Sequence, residues 1–173
     1  MRHLPVAAAM AAATALCVGT AVPASAADTT TTFAVTAGLL TISAPTSKSL
    51  GSGAAGKRIG ASLGSVTVND ARGLIGAAWT ASVSSSDFSN TTTPAAPVIG
   101  KAAVSYTPGP AATTGTATVT PGTPGSPAAP RTAYSATATG GNNSATWNPT
   151  VTVTPPDGAI AGSYSGTITY SVS

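Results

Sequence analysis

Apolar and polar residues change places at every second position through most of this chain, the periodicity of half-buried β-strands. Residues 163–172 show it most clearly: Tyr164, Gly166, Ile168, Tyr170 and Val172 alternate with Ser163, Ser165, Thr167, Thr169 and Ser171. Trp147, Val151 and Val153 alternate with Asn148, Thr150, Thr152 and Thr154, and Trp79, Ala81 and Val83 with Thr80, Ser82 and Ser84. Shorter stretches repeat the pattern at Val66/Val68, Val104/Tyr106 and Tyr134/Ala136/Ala138. Near residue 38 the phase changes. Phe33 and Val35 share one parity, Leu40 and Ile42 the other, and Gly38 between them marks a bulge or tight bend. No segment after residue 26 keeps a helical period for three turns.

Glycine and proline punctuate these runs at roughly ten-residue spacing, which predicts an all-β antiparallel sandwich of the Ig-like or Greek-key type with roughly 8–10 strands. Three stretches read as loops: residues 43–60, residues 90–100 and the proline-rich residues 107–130. Within the last, residues 116–120 form a short strand candidate, placed at a sheet edge because prolines close in on it. No domain boundary or internal repeat interrupts the pattern.

Residues 1–26 read as a signal peptide. Arg2 and His3 precede the apolar run 4–22, and Pro23-Ala24-Ser25-Ala26 supplies the small-x-small cleavage pattern, with processing expected after Ala26. Leu16 stands before Cys17 where lipid attachment requires a small residue, so a lipid anchor is not expected. The mature domain, residues 27–173, is of ordinary size for one core. It has no sortase signal or hydrophobic tail at its end, so retention at a surface would be non-covalent.

Removing the leader also removes the only His, the only Cys and both Met residues, and the chain has no Glu. Four Asp oppose six Lys and Arg, a small and dispersed excess unlike a nucleic-acid footprint. Without His, Cys or Glu, the usual general base and transition-metal ligands are missing. An enzyme is therefore not expected, nor a cofactor or metal. A carboxylate pair of the glycosidase kind would have to come from Asp70 and Asp87, whose first reading is as turn and cap residues. Asp70-Ala71-Arg72-Gly73 reads as a turn in which an exposed Asp70–Arg72 pair would contribute little, about 0–1 kcal/mol. Trp79, Trp147 and the tyrosines read first as core, with a sugar-stacking platform as the alternative. Asn90-Thr91-Thr92 and Asn142-Asn143-Ser144 match the N-glycosylation pattern, which is too short to carry weight.

Taken together, Val66-Thr67-Val68-Asn69-Asp70-Ala71-Arg72-Gly73, Ala78-Trp79-Thr80-Ala81-Ser82-Val83, Asp87-Phe88 and the closing run 162–172 resemble the WxL cell-wall-binding domain of Gram-positive surface proteins, in a divergent, actinobacterial-looking form. The opening run 32–40 also fits, so the likeness spans the mature chain. The two name-giving tripeptides here read Trp79-Thr80-Ala81 and Tyr170-Ser171-Val172, each keeping hydrophobic ends. The resemblance implies a secreted, cell-wall-associated protein that binds peptidoglycan or an attached wall polymer non-covalently, often beside other surface proteins. It assigns attachment to Trp79, Thr80, Ala81, Tyr164, Tyr170, Ser171 and Val172, with Asp70, Arg72 and Gly73 as the motif turn. The alternative is a structural module that assembles with other secreted proteins through a sheet edge, without gripping glycan. Burial of the tryptophans discriminates the two.

Overall fold

A computed structural model describes residues 27–138 and 140–173; the signal peptide of the sequence reading lies outside them. The strands in chain order are β1 (Leu40–Ser43), β2 (Ile59–Ser62), β3 (Val66–Asp70), β4 (Ala78–Ser85), β5 (Ser89–Asn90), β6 (Val104–Thr107), β7 (Ala111–Thr114), β8 (Ala117–Pro121), β9 (Arg131–Ala138), β10 (Asn143–Trp147), β11 (Thr150–Val153), β12 (Tyr164–Ser165) and β13 (Ile168–Val172). Every pairing is antiparallel. The fold class expected from the alternation is the one found.

The thirteen strands exceed the expected eight to ten because one layer is broken across its width. Its sheets are β1-β3-β10-β7 and β2-β11-β6, and β2 runs on into β3, β6 into β7 and β10 into β11 after two or three residues. The breaks fall on one line. Pro149 lacks the N–H that a central strand must donate, but its carbonyl accepts from Leu63 N–H at 2.8 Å. Beside it Ser65 Oγ donates to Asn148 Oδ1 at 3.1 Å. Gly109, at φ 74°, lies so close to Asn148 that an added Cβ would meet its carbonyl oxygen at 2.8 Å. Three strands thus bend together, and only glycine fits where the outer one crosses the proline.

The opposite layer, β13-β4-β9-β8, is continuous. Its inner strand β9 carries a bulge: Ala81 opposes Tyr134 and Ser82 opposes Thr132. Ala133 is left over, and both Ala133 and Tyr134 turn inward. Between the layers lie Val66, Val68, Trp79, Ala81, Val83, Val104, Tyr106, Tyr134, Trp147 and Val151, all buried. Within the broken layer Trp147 Nε1 donates to Tyr106 Oη at 3.1 Å. Tyr134 ties the layers together: its ring packs tilted against Trp147 with centroids 4.8 Å apart, and its Oη donates across to the Gly109 carbonyl.

The proline-rich stretch is more structured than the sequence reading held. It contains β7 as well as β8, both at sheet edges, joined through Gly115 at φ 76°. Strand β8 lies at the expected edge candidate of residues 116–120, whereas the Thr- and Ala-built β7 has no apolar alternation to announce it. Residues 122–130 then fold back as a latch. Gly125 exchanges both backbone bonds with Tyr106 (2.8 and 3.0 Å), and the Pro127 carbonyl accepts from Ser85 N–H at 2.9 Å. The Arg131 guanidinium grips the loop from within, donating to the carbonyls of Ser126 and Thr123.

One expectation fails at the start of the domain. Phe33 and Val35 are 91% and 86% exposed and belong to no strand. The bulge at Gly38 is real: Gly38 N–H donates to Ala71 O at 2.8 Å while Ala71 N–H donates to Leu39 O at 3.0 Å, two residues against one. An added Cβ at Gly38 would meet Ala71 Cβ at 2.7 Å. Regular pairing begins only beyond it, at Leu40.

Candidate binding edge and groove

The two strands that carry the motif tripeptides are neighbours. Tyr170 opposes Val83, Ser171 opposes Ser82 and Val172 opposes Ala81, and Thr80 exchanges backbone bonds with Ser173 at 2.8 and 3.1 Å. Alternation then separates their side chains. Trp79 is 5% exposed and Ala81 is buried, while Thr80 is half-buried on the outer face. Trp147 is 1% exposed. Both tryptophans are core, so neither offers a face to a sugar. Tyr170 is half-buried, its ring edge-on to Tyr106 with centroids 6.2 Å apart. Its hydroxyl is buried beside the Tyr106 phenol without a well-formed hydrogen bond. Burial, with the neighbouring Tyr106 adding to it, pushes the Tyr170 phenol far above its ordinary range and keeps it neutral.

The motif turn is structural in its contacts. Asp70 is 1% exposed and receives Arg72 as a fork, Nε to Oδ1 and Nη2 to Oδ2 both at 2.8 Å. Arg72 Nη2 also donates to Ala78 O at 2.9 Å, fastening the start of β4. The pair is therefore not the exposed one considered from sequence. The Arg72 side chain holds the Asp70 carboxyl below its usual range, outweighing the burial that opposes ionisation. Gly73 and Gly76, at φ 65° and 66°, bracket Leu74 and Ile75, which stand in solvent. Asp87 is exposed and accepts the Lys101 N–H at 2.8 Å. Asp70 and Asp87 thus each have a backbone or side-chain task. Among the described residues no three of His, Cys, Asp and Glu come together. Asn90 is buried, its Oδ1 accepting from Thr92 and Thr93 N–H, whereas Asn142 is exposed.

Tyr164 leads to a feature that the sequence reading did not contain. It stands in the wall of an open groove of about 730 Å³ between residues 48–55 and 159–166, floored by Phe88, Ile99 and Val153. Its hydroxyl donates to Ile160 O at 2.8 Å. A smaller crevice of about 170 Å³, between residues 44–50 and 166–170, carries the depression on to Tyr170. Lys48 borders both and is the charged side chain there. Phe88 cannot serve as a stacking surface on its Gly166 side, where an added Cβ would sit 2.8 Å from the ring. Lys48 and Ile99 carry no sequence signal that would have singled them out.

Beside the groove runs the edge of β13. Strand β4 takes the odd residues of this strand, as the Thr80–Ser173 exchange and the Ser86 N–H to Thr167 O bond (2.9 Å) fix. Antiparallel geometry therefore turns the N–H and C=O groups of Ile168, Tyr170 and Val172 away from β4. They have no backbone partner among the described residues. Strand β1 lies alongside in the other layer without pairing to β13. No family model, curated protein or solved structure matches this chain.

Proposed function

We propose that this protein is an exported module of the cell envelope that binds other polypeptides by strand addition at the β13 edge. The observation that carries the reading is the contrast between aromatic rings and edge. Trp79 and Trp147 are withdrawn into the core, while Ile168, Tyr170 and Val172 keep unpaired backbone groups. Backbone bonds of this kind supply affinity, and pockets beside the edge supply selectivity for alternate side chains. Export rests on the leader-like residues 1–26, and location at the wall on the resemblance to WxL domains. Its chemistry is recognition, with Asp70 committed to Arg72 rather than to acid–base work.

Direct retention on peptidoglycan is the second reading, supported by one observation: Tyr164 lines an open groove of about 730 Å³ whose charged side chain is Lys48 alone. Sedimentation of the purified mature chain with insoluble peptidoglycan separates the two. Strand addition to proteins predicts that the chain stays in the supernatant at low and high salt. Co-sedimentation that Tyr164→Ala abolishes, and that Thr169→Lys/Ser171→Lys leaves intact, would replace the first reading by the second.

A further inference from the structure

The β13 edge also carries the specification of its partner. We propose that the partner is a second copy of this chain, joined antiparallel through β13 with a two-fold axis at Tyr170. The inference rests on the strand-addition reading and names the partner of that same edge.

The argument begins with register. Residues able to bond across the outer edge are Ile168, Tyr170 and Val172, because Thr169 and Ser171 already face β4. A two-fold axis at Tyr170 sets Tyr170 against itself and Ile168 against Val172 of the second copy. All outward groups then meet outward groups, and none is left over. The side chains match as well: Ile meets Val and Tyr meets Tyr on the inner face, and Thr169 meets Ser171 on the outer. An isologous contact demands such self-complementarity.

The edge also lacks two of the devices that keep sheets apart. Residues 167–173 contain no charged side chain and no proline; β1 runs alongside without pairing to β13, and residues 44–50 border it across a crevice. Two other edges of this molecule are protected by a covering loop or a proline: Tyr106 on β6 is bonded by Gly125, and β8 ends at Pro121. Strand β13 is moreover unfinished as a core strand. Its inward residues Ile168, Tyr170 and Val172 are half-buried, while those of β4, the next strand in the layer, are buried. A second copy would cover them.

Three measurements on the mature chain decide the matter. Sedimentation equilibrium should give a dimer for the wild type and a monomer for Thr169→Lys/Ser171→Lys, with the thermal transition of that variant retained. Because residues 27–173 contain no cysteine, Thr169→Cys/Ser171→Cys should form a disulfide-linked dimer on mild oxidation, and Thr118→Cys on β8 should not. Hydrogen exchange separates the layers of the argument. A monomeric wild type whose Ile168, Tyr170 and Val172 amides exchange freely overturns the dimer and leaves strand addition standing. A monomer in which those amides are protected overturns both, because the edge is then covered within one chain. A dimer that survives the two lysines also overturns the proposal.

Discussion

Tyr106 and Tyr170 place two phenols edge-on in one core with opposite consequences. Tyr106 Oη is the acceptor for the buried Trp147 N–H, whereas Tyr170 Oη is buried beside the Tyr106 phenol without a well-formed hydrogen bond. Removing an acceptor strands its donor, while removing a poorly bonded hydroxyl relieves a desolvated group. Tyr106→Phe should therefore lower unfolding stability by about 1–3 kcal/mol. Tyr170→Phe should be neutral or stabilising by up to about 1 kcal/mol. Urea titrations of the two single variants check this pair. Alternation announced these rings as inward-facing, since Trp79, Tyr106, Tyr134 and Trp147 each keep phase with Val or Ala. It could not say which hydroxyl meets which ring, because Trp147 and Tyr106 lie 41 positions apart. Asp70–Arg72 was legible as a pair because it is local. Its burial was not, because that comes from Leu40 on one side and Asn143 on the other.

At the scale of elements, the line of breaks through Leu63, Pro149 and Gly109 bends one layer across its width. Gly109 combines φ 74° with 2.8 Å from an added Cβ to the Asn148 carbonyl. Gly109→Ala should accordingly destabilise by more than the roughly 1 kcal/mol of an ordinary glycine replacement at positive φ. Gly158→Ala, with nothing within 4 Å of its Cβ and no positive φ, should change little; thermal melts of both compare them. The Pro and Gly punctuation foretold turns, and several of these proved to be kinks inside continuing strands. Strand β8 was legible as the edge candidate at residues 116–120, whereas β7 escaped notice for a related reason: an edge strand clad in Thr and Ala needs no apolar stripe. The motif strands β4 and β13 were each legible alone. Their pairing, and the groove beside them, arise only once the chain crosses between layers.

The whole molecule stands on few charges, and pH should act on it only at the extremes. Arg72 lowers the Asp70 carboxyl, so its stabilisation is complete above the unfolded value of about 3.9 and drains away as pH falls through the folded one. Burial raises the phenols of Tyr106, Tyr134 and Tyr170. Their contribution is complete below the unfolded value of about 10 and is lost as pH climbs beyond it. No side chain of residues 27–173 titrates ordinarily near neutrality, because the stretch lacks His and Cys. Stability measured against pH should form a plateau with an acid and an alkaline limb. Asp70→Asn should lower the plateau by about 1–3 kcal/mol and flatten the acid limb. Central to the account is that the large aromatic rings build the core and recognition belongs to the edge. Acrylamide quenching of tryptophan fluorescence, with and without soluble peptidoglycan fragments, tests it most directly because Trp79 and Trp147 are the only emitters of their kind. The account predicts blue-shifted emission, weak quenching and no response to the fragments; red-shifted emission that acrylamide quenches freely and the fragments protect would contradict it.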